Sequence, residues 1–239
     1  PLNLRFPVGR ERSHIHRLRS SFQKKGFLVF EMPIADDEIG ALCYKGDGLG
    51  YVVLNTSLPR VNVNFAIAHE IYHVFFQKNG LVSKVEFADD HYYEHEEEYA
   101  ANLFAGMLLM PEISFRRMYV KFKEESNDNE VDTMIRLMAY YEVPFMAVLI
   151  RSLELNLLGG SAISEQFLSI NRGQIEKRLG ELWLNESIMH PSNKDDYDHL
   201  EAMVKQLGSE YIRDEYINKR TLEIVLSNMS GLHKKIKGE

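Results

Sequence analysis

The sequence predicts an α+β fold: a small antiparallel sheet packed on two internal helices, followed by helices to the end of the chain. Three observations carry this. Short β-rich runs fill the stretch before Pro59, the apolar period changes to helical after it, and from about residue 131 onward the pattern is helical throughout.

Residues 10–25 read as a first helix with Ile15, Leu18 and Phe22 on its inner face, closed by Gly26. Residues 27–30 (Phe-Leu-Val-Phe) read as a buried strand. Two further β-rich runs, 39–44 and 50–54, are joined by Lys45-Gly-Asp-Gly-Leu49, whose glycines permit the tight turn of a hairpin. After Pro59, Asn62 or Asn64 offers an N-cap for a helix reaching about Lys78, with Gly80 as its stop. Phe65, Ala66, Ile67, Ile71, Val74, Phe75 and Phe76 make that helix apolar nearly all round, so it belongs in the interior.

An acidic stretch, 86–97, precedes a second strong helix that ends at Pro111. Ala100, Ala101, Ala105 and Gly106 give it a small-residue side on which another helix can approach closely. Residues 121–130, charged and rich in Asn and Asp, read as a linker or surface turn. Helices over 131–141 and 145–157 are broken at Val143-Pro144, and Gly159-Gly160 marks a hinge. The tail, 162–235, is helical in pattern but polar.

Composition narrows the function. With 239 residues, 45% hydrophobic and 26% charged, the chain resembles an ordinary globular protein with a sizeable core. A net charge of −7 disfavours nucleic acid or anionic lipid as the main partner. The single cysteine, Cys43, excludes an intramolecular disulfide and fits a buried strand thiol in a reducing compartment. No apolar core follows the basic stretch 10–19, as a secretory signal requires, and no apolar run reaches the length of a membrane span. A cytoplasmic protein is the expectation.

The sequence His69-Glu70-Ile71-Tyr72-His73 carries the chemistry. Residues four apart share one helix face, so two imidazoles can reach one ion, while Glu70 is offset by one step and stands beside them without ligating. On an interior helix such polar side chains need partners. A zinc site with an open position wants a third protein ligand from a neighbouring element. Glu98 is favoured, because Glu98, Asn102 and Ala105 share a face of the second helix. Asn102, one turn on, can take the other ring N–H of a ligand histidine and fix its tautomer. Glu94 and Glu97 are alternative ligands, as are His91 and His95, although a solvated acidic helix start accounts for most of that run.

These residues resemble the ImmA/IrrE family of zinc-dependent metallopeptidases, of gluzincin type. The matching blocks are Phe65-Ala-Ile-Ala-His-Glu-Ile-Tyr-His73 and Glu98-Tyr-Ala-Ala-Asn-Leu-Phe-Ala-Gly-Met-Leu-Leu-Met-Pro111. The second is the more diagnostic, with a ligand glutamate followed by Ala-Asn, Phe-Ala and a Leu-Met-Pro helix end. The resemblance spans about 25–160 and implies that 131–158 forms a helix-turn-helix-like module. It assigns the ligand role to Glu98 and the supporting role to Asn102. The expected division is therefore a metallopeptidase core over 1–120, the helix-turn-helix-like module over 121–160, and a helical extension over 161–239.

The implied activity is peptide-bond hydrolysis with Zn2+ as cofactor, held by His69, His73 and Glu98. Glu70 would act as general base on the water that zinc activates. An oxyanion donor is not identified; Tyr92, Tyr93, His91 and His95 are candidates by proximity. The resemblance also implies a protein substrate, namely a helix-turn-helix transcriptional repressor, and a bacterial or phage origin. A competing reading is a non-catalytic regulator, a DNA-binding or scaffold protein with a structural zinc. The second helix of the module carries Arg151 as its one cation, which is poor provision for a phosphate backbone.

Overall fold

The structure, a computed structural model, describes residues 14–46, 49–76, 82–86, 96–158 and 165–239. In chain order the first elements are α1 (His14–Gln23), β1 (Phe27–Met32), β2 (Ile39–Gly46), β3 (Leu49–Asn55), α2 (Arg60–Phe76), β4 (Val82–Glu86) and α3 (Glu96–Leu109). Helices α4 (Glu112–Glu125), α5 (Glu130–Tyr141) and α6 (Phe145–Glu154) follow. The tail holds α7 (Glu165–Leu168), α8 (Arg172–Glu181), a 3-10 turn (Glu186–Met189), α9 (Tyr197–Arg213) and α10 (Lys219–Lys237).

The α+β class is as expected, with one correction to the sheet. Its order is β1-β3-β2-β4, and β1 runs parallel to β3, so the sheet is mixed rather than antiparallel. The β2–β3 and β2–β4 pairs are antiparallel, the former with Cys43 opposite Val52. β4 takes the outer edge of β2, so β1 pairs on the free edge of β3; the chain reverses into β2 and again into β3, which leaves β3 running in the direction of β1. As an edge strand β1 is only partly covered: Phe27 is buried, but Leu28 is exposed.

The alternation along β3 separates two layers. Val52 and Leu54 face the main core beneath α2, whereas Val53 faces a second cluster with Met32, Ile34 and Ile39. That second face is covered by Tyr197 and Leu200 of α9 and Ile236 of α10. The sheet thus lies between α2 and the C-terminal hairpin. Leu18 and Phe22 of α1, both fully buried, close one side, and Gly26 at φ +80° turns the chain into β1.

Helix α2 begins earlier than the asparagines suggest, directly after Pro59, and 12 of its 17 residues are buried. Asn64 caps nothing; its buried amide donates to the Glu142 carbonyl at 2.9 Å. Phe76, expected inside, is 50% exposed. α3 packs on α2 and α6. Half of the segment expected as a linker, 121–130, is the end of α4; the turn proper lies between Glu125 and Asn129, which caps α5 through the Asp132 N–H. The expected hinge Gly159-Gly160 lies outside the described residues.

Helices α5 and α6 meet at 107°, within the angle range of a helix-turn-helix pair. Among the described residues no single helix is long and apolar enough to cross a membrane; the bent α5–α6 pair is apolar because most of it is buried in the core.

The polar tail is tied back by ion pairs. Arg178 of α8 grips Asp132 of α5 through two bonds of 2.6 Å, and Lys194 and Arg19 converge on Glu31 and Asp196 at 2.6–3.2 Å.

Candidate metal centre

The interior position of α2 places His69, Glu70 and His73 in the core, at 1%, 0% and 0% exposure. Three ionisable side chains at that depth require partners. The first two turns of α3 meet the two histidines. His69 Nε2 lies 2.9 Å from His73 Nε2 and 3.1 Å from Glu98 Oε2, and His73 Nε2 lies 3.4 Å from Glu98 Oε1. On its other side, His69 Nδ1–H donates to Asn102 Oδ1 at 2.9 Å. An amide oxygen only accepts, so Nδ1 carries a proton; when the ring gives up its other proton, it is the Nε2 lone pair that faces the cluster.

Among the described residues, His69, His73 and Glu98 are the group of three whose ligating atoms converge. Their spacing tests the fit of an ion. Bonds of about 2.0–2.1 Å at tetrahedral angles place neighbouring ligand atoms about 3.3–3.4 Å apart. The observed 2.9–3.4 Å needs only small adjustments to match. The donor set of two imidazoles and one carboxylate suits a divalent transition ion.

Glu98 is set for this role electrostatically. Partial burial would raise its pKa, but hydrogen bonding to His69 and His73, and then their charge, hold the carboxyl well below the usual carboxylate range. Its side chain remains 36% exposed, so the cluster opens to solvent on the Glu98 side. Glu96, Glu97 and Glu98 lie in the first turn of α3, where negative charge stabilises the helix through its dipole.

All four of His69, His73, Glu98 and Asn102 therefore come together. Glu70 is buried on α2, about 100° around the helix from His69. Of the alternative ligands, Glu97 is exposed, while His91, Glu94 and His95 lie outside the described residues, as do Tyr92 and Tyr93. Sequence reading did not single out an aromatic group beside the site. The Tyr72 ring stands edge-on to His73, with centroids 5.8 Å apart, and also meets Phe76 and Phe104. The four-residue step from Tyr72 to Phe76, on the histidine side of α2, was the available signal.

A sequence model of the Peptidase M78 family, the IrrE N-terminal-like domain, matches residues 22–153. The chain belongs to this family. The matched span contains the whole His-His-Glu cluster and ends at the close of α6, so family membership implies a function of the metallopeptidase type. No significant match was found among curated proteins or among solved structures.

Proposed function

We propose that the chain is a zinc-dependent peptidase that hydrolyses a peptide bond in a protein substrate, with Glu70 as general base. The observation that carries this reading is the convergence of His69 Nε2, His73 Nε2 and the Glu98 carboxylate beside a buried Glu70.

A zinc ion, when held there, polarises the scissile carbonyl and acidifies water. The chain's own residues do the rest. Asn102 holds the His69 ring by its Nδ1–H, so Nε2 would be the ligating atom, and Glu98 would supply the negative ligand. Glu70 accepts a proton as water oxygen bonds to the carbonyl carbon. It then passes that proton to the amine nitrogen as the C–N bond breaks.

Glu70→Gln should keep stoichiometric zinc and lose cleavage by at least about 10²-fold, the usual scale for a general base. His69→Ala should lose both. Metal analysis and a peptide-cleavage assay on the two variants decide it; normal turnover by Glu70→Gln would remove Glu70 from this role.

The family resemblance supports a helix-turn-helix repressor as substrate and the cytoplasm as location. Against direct duplex binding as the alternative function weighs the module's second helix. Its one cation, Arg151, is buried at 7% exposure, with Nε donating to the Met110 carbonyl and the guanidinium paired with Glu154. It caps the end of α3 instead of facing solvent, which leaves α6 without a cation for phosphate.

A further inference from the structure

We propose that Tyr72, Phe76 and Phe104 form the subsite that receives a large apolar side chain of the substrate next to the scissile bond; the inference rests on the peptidase reading above. The three rings make a closed triangle, with centroids 5.6 Å apart for Tyr72–Phe76, 6.0 Å for Tyr72–Phe104 and 5.5 Å for Phe76–Phe104. They come from α2 and α3, the two helices that carry the metal ligands, and Tyr72 touches the His73 ring. The group is therefore continuous with the candidate centre.

Its exposure is what points to a ligand. α2 is an interior helix, yet Phe76 at its end is 50% exposed. Tyr72 and Phe104 are partly covered and join the two helices; Phe76 turns its free face outward beside them. An aromatic face left in water at the rim of a polar centre gains by covering, and an aliphatic or aromatic side chain is what covers it best.

Helix geometry also places the group correctly for a peptide crossing the site. At about 100° per residue, Glu70 lies on one side of the His69–His73 pair and Tyr72 and Phe76 lie on the other. A substrate with its carbonyl at the centre would meet the base on one flank and the aromatic triangle on the opposite one. The side chain that would cover the exposed Phe76 ring is a large apolar one, not a charged one.

The test uses the full chain loaded with zinc and a degenerate peptide library, with mass spectrometry reading the residues that flank each new terminus. Large apolar residues should be enriched at one flanking position. Phe76→Ala should flatten that enrichment and lower kcat/KM for apolar peptides by about 10-fold, mainly through KM, the scale of a lost hydrophobic side-chain contact. Phe76→Leu should restore most of it. The best apolar peptide should also bind the inactive Glu70→Gln protein about 10-fold more weakly once Phe76→Ala is added, with zinc content unchanged. Cleavage without apolar enrichment, or an unaltered profile in Phe76→Ala, overturns the subsite and leaves the peptidase reading standing. A zinc-loaded wild type that cuts nothing in the library overturns the peptidase reading and the subsite with it.

Discussion

Asn102 Oδ1 sits 2.9 Å from Nδ1 of His69, one helical turn beyond Glu98 on the same face of α3. A single helix thus carries both a candidate ligand and the group hydrogen-bonded to another candidate ligand. Removing the amide should leave the ring free to turn and to change tautomer. Asn102→Ala is expected to weaken zinc binding by about 10–100-fold with the fold intact. Competition with a chelator of known affinity measures this, and unchanged zinc affinity would show that packing alone holds the His69 ring.

The Asp132–Arg178 pair predicts how the tail contributes to stability. Asp132 is buried with 8% side-chain exposure, and its hydrogen bonds also hold the Arg178 pKa above its ordinary value. Arg178→Ala strands a buried carboxylate and should cost about 1–3 kcal/mol. Denaturant unfolding should show a lower midpoint. The double variant with Asp132→Asn should recover part of the loss, because the stranded charge is then gone.

Alkaline pH should weaken the module. Burial, first among the causes, and the neighbouring Tyr140 push the Tyr141 phenol up to about 12, against the lowering effect of its hydrogen bond with Ser114 at 2.8 Å. The folded pKa exceeds the unfolded value near 10. This contribution to stability is therefore complete below pH 10 and lost as pH rises from about 10 to about 12. Melting temperature followed across that window should fall less steeply in Tyr141→Phe. Tyr119 shifts in the same direction through burial, so a tyrosinate absorbance titration should show two lagging groups, one of them abolished by the variant.

Deleting residues 195–239 should uncover the second face of the sheet. Met32, Ile34, Ile39 and Val53 would lose the cover of Tyr197, Leu200 and Ile236. The expected outcome is aggregation or a clear drop in melting temperature, read by light scattering and calorimetry. A truncated chain that melts where the full chain does would make the tail an independent appendage.

Much of the site was legible because its logic is local. The i, i+4 spacing of His69 and His73 and the face shared by Glu98 and Asn102 follow from helix geometry alone. What was not legible depends on distant partners. Asn64 looked like a cap because nothing in the sequence reveals Glu142 as its acceptor. Parallel pairing of β1 with β3 follows from which sheet edge is left open, not from the composition of residues 27–32. The tail looked featureless because its anchors, Arg178 on Asp132 and Lys194 on Glu31, are ordinary surface residues until folding pairs them. Phe76 was read as core by apolarity, and its 50% exposure is decided only by where the end of α2 comes to lie in space.

The depth of α2 has a consequence for reading variants. Ile67, Ala68 and Ile71 are fully buried on the same turns that present His69, Glu70 and His73. Damage to catalysis and damage to folding will therefore arrive together from most substitutions between residues 66 and 74. An inactive protein from that stretch identifies a chemical role only when its melting curve and its zinc content match those of the parent.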